Sequence, residues 1–209
     1  PGRRPAQRAN VLDHGHFMCG KGPKFPGNME YCDDMMVMYL QGSTQYDALG
    51  HVWYDDQIYN GYDAMTTIGG TAKAGVLPIA ERGIVGRAVL IDMARFRGKD
   101  CLDKGETFDH NDLCAAAEAQ GVTIEKRDIL IIRTGWIGSF YKRGANDFYN
   151  DFIEPGLTYS PELVRSFHIL PDALADDCAA DGQWSFLYVA APLKVVDGSG
   201  APVNPVVIK

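Results

Sequence analysis

No apolar run in the chain approaches the ~20 residues that cross a bilayer, no basic excess is present, and no two cysteines have paired spacing. Each absence removes a class of function. Lys and Arg number 20 against 27 Asp and Glu, giving a net charge of -7 and a pI near 5.2. The basic face of a general nucleic-acid binder is therefore lacking, and the acidity reads as solubility rather than as a partner. The cysteines, Cys19, Cys32, Cys101, Cys114 and Cys178, are odd in number and scattered. They build neither a disulfide framework nor a Cys-x-x-Cys zinc site, so a reducing, cytoplasmic compartment is the simpler reading. Pro1-Gly2-Arg3-Arg4-Pro5 is basic, but no apolar stretch follows it, so it does not read as a signal peptide. Nucleophile and phosphate motifs are missing too. Gly42-Ser43-Thr44 is not the Gly-x-Ser-x-Gly elbow, Cys19 has no base beside it beyond His14 and His16, and Gly20-Lys21-Gly22 is too short for a phosphate loop.

What remains is a chain of 209 residues with 46% apolar and 22% charged side chains, enough for one domain, or one plus an arm, with a sizeable core. It carries no internal repeat and no low-complexity linker. Residues 1–30, rich in Gly, Pro and Arg, read as an N-terminal arm or long loop of the kind that wraps a neighbouring subunit. Residues 31–209 form the main domain. Met35 to Leu40 is an apolar run of strand length, or a soft methionine core patch. Asp55-Asp56 reads as a solvated turn and Asn60-Gly61 as a turn. Residues 84–93 and 129–134 are β-branched-rich and predict buried strands. Between them, 109–120 predicts a helix with Asp109 as N-cap, an Ala-rich body and Gly121 at the C′ stop. Strand, helix, strand at this spacing predicts an α/β unit. A further helix is expected from Ser160 with Pro161 at its first position, and a strand over 186–196.

The most informative stretch is Gln41-Gly42-Ser43-Thr44-Gln45-Tyr46-Asp47-Ala48-Leu49-Gly50-His51. Read as a strand, Gln41, Ser43, Gln45 and Asp47 share one face, where their oxygen-bearing groups can converge on a cation. The Leu49-Gly50 stretch can turn His51 back over the same place. Each residue also has a plainer reading. Asp47 can cap the turn that follows it, the two amides can bond neighbouring backbone, and His51 can be a satisfied structural histidine.

This stretch resembles the signature His-x-Gly-Thr-His-x-Asp-x-Pro-x-His of the cyclase, or kynurenine formamidase-like, family of metal-dependent hydrolases. Thr44, Asp47 and His51 keep their places; Gln41 and Gln45 stand where that pattern has histidines, Ser43 where it has glycine and Leu49 where it has proline. The runs 86–95 and 127–136 resemble the family's later strands, and 178–209 its C-terminal end. The resemblance implies a swivelling β/β/α fold, an α/β class, with Asp47 as metal ligand and His51 as catalytic acid/base. It also implies a homodimer or homotetramer acting on a small-molecule substrate. In the family a longer stretch carrying a histidine and a glutamate follows the helix that here ends at His168. Either this chain has lost that stretch or a segment is missing near 168–171, and an intact mass equal to 22.9 kDa would sink the second expectation.

On this basis Asp47, Gln45 and Gln41 are the candidate metal ligands, for Mn²⁺ or Mg²⁺, or weakly held Zn²⁺. His51 is the candidate proton shuttle. Trp53, Tyr54 and Tyr59 are candidates to wall a pocket for a flat substrate, with Tyr62 close by in sequence. His14 and His16 read as an exposed loop pair. The expected reaction is an arylformamidase-like attack of water on an amide, formamide or lactone. The alternatives are a catalytically impaired member that binds a small molecule or only assembles, and a lyase or isomerase that closes a ring.

Overall fold

The runs Ile84–Asp92 and Ile129–Arg133 bury consecutive residues: Val89, Leu90 and Ile91 are fully buried, as is Leu130 beside Ile131. Burial without alternation means that both faces of these strands are covered, as in a parallel sheet. They pair in parallel, Ala88 opposite Ile129 through Asp92 opposite Arg133. The connection contains the helix His110–Gln120, begun by Asp109, whose side chain accepts from the Asn111 and Asp112 amides while Asp112 reaches back to the Asp109 amide. Gly121 ends it in the left-handed conformation at φ 69°. The helix buries Leu113, Ala116 and Ala117 in a core with Val89, Ile91, Leu130 and Ile132. The expected strand–helix–strand unit is present with nearly the expected bounds.

The computed structural model describes residues 3–149, 153–160, 168–171 and 175–209. They divide into two compact units, residues 1–82 with 191–204, and residues 83–190 with 205–209. The second unit holds a five-stranded sheet in the order His168–Pro171, Ile129–Arg133, Ile84–Asp92, Ser185–Ala190, Val206–Ile208. The first three strands are parallel and the last two antiparallel to their neighbours. The strand expected over 186–196 ends at Ala190; Pro192 two residues later has no amide hydrogen to continue a ladder. The helix expected from Ser160 lies outside the described residues, and His168, expected as its end, opens a strand instead.

The first unit corrects two expectations. The arm is not a loop: Gln7–Leu12 pairs antiparallel with Asp33–Val37, Gln7 opposite Val37 and Asn10 opposite Asp34. Arg8 and Asp34 join across the ribbon at 2.6 Å. Between the strands Asp13 caps the short helix His14–Met18, and Tyr31 packs edge-on against Phe17 and Phe25. The methionine run is not a core patch either. Met35, Met36 and Val37 are 51%, 58% and 61% exposed, because a two-stranded ribbon has no layer behind it to bury them. The two turn readings hold: Asp55 and Asp56 have φ of 51° and 58°, and Asn60 and Gly61 of 65° and 72°. Asn60-Gly61 closes the hairpin Gln57–Ile58 with Tyr62–Asp63. Among the described residues no helix is long and apolar enough to cross a membrane.

Candidate functional site

Gln45–Asp47 is the strand that builds the site, paired antiparallel with Gly200–Pro202 so that Asp47 faces Gly200 and Gln45 faces Pro202. Alternation puts Tyr46 inward, where it is buried, and leaves Gln45 and Asp47 on the outer face. The strand does not extend back to Gln41. Tyr39 to Gly42 is a turn in which the Gly42 amide donates to the Tyr39 carbonyl at 3.0 Å. Gln41 therefore arrives by a bend rather than by strand parity, which corrects the one-face reading of residues 41–47.

The bend still delivers the side chain. Gln41 Nε2 donates to Ser199 Oγ at 3.0 Å, and Gln45 Nε2 lies 3.4 Å from Asp47 Oδ1. Gly200 is the point where they meet. A Cβ placed there would lie 2.8 Å from Gln41 Nε2, 2.9 Å from the Tyr46 carbonyl oxygen and 3.3 Å from Asp47 Oδ1. Only the missing side chain lets the amide and the carboxylate pack this close to the Gly200 backbone; the three side chains Gln41, Gln45 and Asp47 around it are termed the cradle. Arg3 anchors the bend from outside, donating to the Gln41 carbonyl at 2.8 Å.

His51 is placed by a second turn. Its amide donates to the Ala48 carbonyl at 2.9 Å, while the Ala48 amide donates to the Ser199 carbonyl and the Gly50 amide to that of Ala74. Gly50 must be glycine, since a Cβ would press on Thr71 Cγ2 at 2.8 Å and on the Lys73 carbonyl at 3.0 Å. Ala48 packs with Val76 and Ala201 beneath the turn. The imidazole of His51 is half-buried and has no hydrogen-bond partner among the described residues. The backbone partners that the plainer reading expects for it are not found among the described residues.

By its chemistry, a donor set of one carboxylate and two amides would suit a hard, oxygen-preferring divalent cation. Half a turn of each terminal amide would bring its oxygen to where its nitrogen now lies. The set does not fit a closed zinc site, which needs imidazole or thiolate ligands. Among the described residues no three His, Cys, Asp or Glu side chains form a metal-holding group.

Trp53, Tyr54 and Tyr59 are exposed by 43%, 81% and 59%, on and beside the loop that follows His51. His14 lies 2.6 Å from Glu30 Oε2 and His16 2.8 Å from Asp13 Oδ1, so each serves the ribbon. Sequence reasoning missed Ser199 and Gly200, 158 and 159 residues from Gln41. Their only signal is the small-residue run Gly198-Ser199-Gly200, a pattern of close backbone approach.

Comparison with known proteins agrees with this architecture. A family model described as "Putative cyclase" matches residues 10–168. A crystal structure described as a novel cyclase superposes with a TM-score of 0.83 at 28% identity, over 100% of this chain and 83% of that one. Isatin hydrolase A from Labrenzia aggregata, bound to benzyl benzoate, matches with a TM-score of 0.58 at 17% identity. Isatin hydrolase A from Ralstonia solanacearum matches with 0.58 at 19%. Both alignments cover 98% of this chain and 83% of the other, and both share its fold. No curated protein matches the chain. With its family match spanning most of the sequence and the α/β fold shared throughout, the chain belongs to the cyclase family.

Proposed function

We propose that this cyclase-family chain is a hydrolase that adds water across an amide, formamide or lactone carbonyl. His51 is its general acid/base, and Asp47, Gln45 and Gln41 form its polar cradle. The observation that carries the reading is the close approach of Gln41 and Asp47 to the Gly200 backbone, which a side chain there would block. The imidazole of His51, without a partner among the described residues, supports it. A divalent cation held by Asp47 with the two amide oxygens, Mn²⁺ or Mg²⁺ before Zn²⁺, would supply carbonyl polarisation and a more acidic water. His51 takes the proton of the attacking water and returns it to the departing amine or alkoxide. Asp47 balances positive charge in the cradle, and Ser199 holds the Gln41 amide in place. Trp53, Tyr54 and Tyr59 offer faces to a flat substrate. A cyclic aryl amide such as isatin, on which the structural relatives are named to act, is a first substrate to try beside aryl formamides. The working unit is a homodimer or homotetramer.

A second reading is a binding member without catalysis. It is favoured by the amide nitrogens, which are turned toward Asp47 and Ser199, so that the cradle is internally bonded. Elemental analysis after Mn²⁺ loading, together with turnover of formamides, lactones and isatin, separates the two. The hydrolase reading expects about one metal per chain, lost in Asp47→Asn. It expects His51→Ala to keep the metal and lose 10²–10⁴-fold in rate. Full turnover in His51→Ala sinks the proton role; no metal and no turnover in the wild type leaves the binding reading.

A further inference from the structure

Residues Arg4, Pro5, Gln7, Val37, Met38 and Tyr39, all exposed but Met38, line an open surface cleft of about 470 Å³ at the base of the ribbon. Its polar groups are unspent. Arg3 and Arg8 on either side are engaged, one with the Gln41 carbonyl and the other with Asp34 and Asn10. Among the described residues the Arg4 guanidinium, the Gln7 side-chain amide and the Tyr39 hydroxyl have no hydrogen-bond or ion-pair partner. A guanidinium kept unpaired in a chain of net charge -7 is poised for an anion. Arginine's forked donors match a carboxylate in particular. The remaining lining, Pro5, Val37 and Met38, is apolar and suits a hydrocarbon or aromatic body rather than inorganic phosphate. The wall also continues into the site described above, since the Tyr39 carbonyl accepts the amide of Gly42, next to Gln41.

We propose that this cleft is a binding site for a small organic carboxylate. Arg4 takes the carboxylate, Gln7 and Tyr39 add hydrogen bonds, and Val37 and Met38 contact the apolar body. The site is distinct from the Asp47 cradle and does not depend on what that cradle does.

Calorimetric titration of the full chain with sodium benzoate tests it, with benzamide as a neutral isostere. Saturable benzoate binding is expected, with benzamide weaker by about tenfold or more, the value of one charge-assisted hydrogen bond. Arg4→Gln should weaken benzoate by a similar factor while keeping the wild-type circular dichroism, and Asp47→Asn should bind benzoate as the wild type does. If Asp47→Asn loses benzoate, the anion sits in the cradle and the separate site is refuted. Absence of saturable binding, as when a second copy covers the cleft, overturns the proposal. So does equal binding of benzamide, or undiminished binding by Arg4→Gln.

Discussion

Gly200 shows how one residue without a side chain can define a site. A Cβ there would come within 2.8 Å of Gln41 Nε2 and 2.9 Å of the Tyr46 carbonyl, and the backbone contact cannot be relieved by rotating a side chain. Gly200→Ala is therefore expected to push Gln41 away from Asp47 and to cost about 1–3 kcal/mol by overpacking. Chemical denaturation measures the second effect, and metal affinity or turnover the first. The site reading requires the functional loss to exceed what the fraction unfolded explains. Equal activity at reduced stability would make Gly200 a packing residue only. His51 belongs to the same scale: its type and distance from Asp47 are legible in the chain, but its lack of a partner among the described residues is seen only in the fold.

At the scale of elements, the loop that leads from the sheet toward His110–Gln120 is tied by Lys99. Its ammonium reaches Asp103 and Glu106 at 2.7 Å each, and Glu106 also accepts the Asp103 amide at 2.8 Å. The hydrogen bond from Lys99, then that from the Asp103 backbone, holds the Glu106 carboxyl below its usual range. A folded pKa below the unfolded one means that ionised Glu106 favours the native state. That contribution is complete above the ordinary value of about 4.3 and fades as pH falls through the lower, folded value. Glu106→Gln is accordingly expected to lower stability at pH 7, with a difference from the wild type that shrinks as pH falls below the ordinary carboxylate range. Urea midpoints across that pH range check this, and a pH-independent difference would contradict it. The helix that follows was readable in advance because its signals are local: Asp109, the alanines and Gly121 each act within a few residues of themselves.

At the scale of the molecule, the ribbon presents Val11, Met35 and Met36 to solvent, each more than half exposed. Exposed apolar side chains on both faces of a ribbon favour an interaction there. We expect light scattering to give a mass at least twice 22.9 kDa for the wild type, and the Met35→Lys, Met36→Lys double variant to shift toward the single-chain mass. A wild type that runs as a monomer at micromolar concentration would remove the assembly proposal.

The chain by itself determined its family, its central strand–helix–strand unit and the candidates Asp47 and His51. Propensity, capping and the spacing of a motif are properties of neighbours in sequence. The arm was misread as a loop because a ribbon strand is made by its partner, here 26 residues away between Arg8 and Asp34, and β-structure of that kind leaves little local trace. Tertiary structure alone decided that Gln41 reaches the site by a bend. It alone brought Ser199 and Gly200 to meet Gln41 from 158 residues away and beyond, because a contact across that separation depends on strand pairing and on the volume of a missing side chain, neither of which a local pattern encodes.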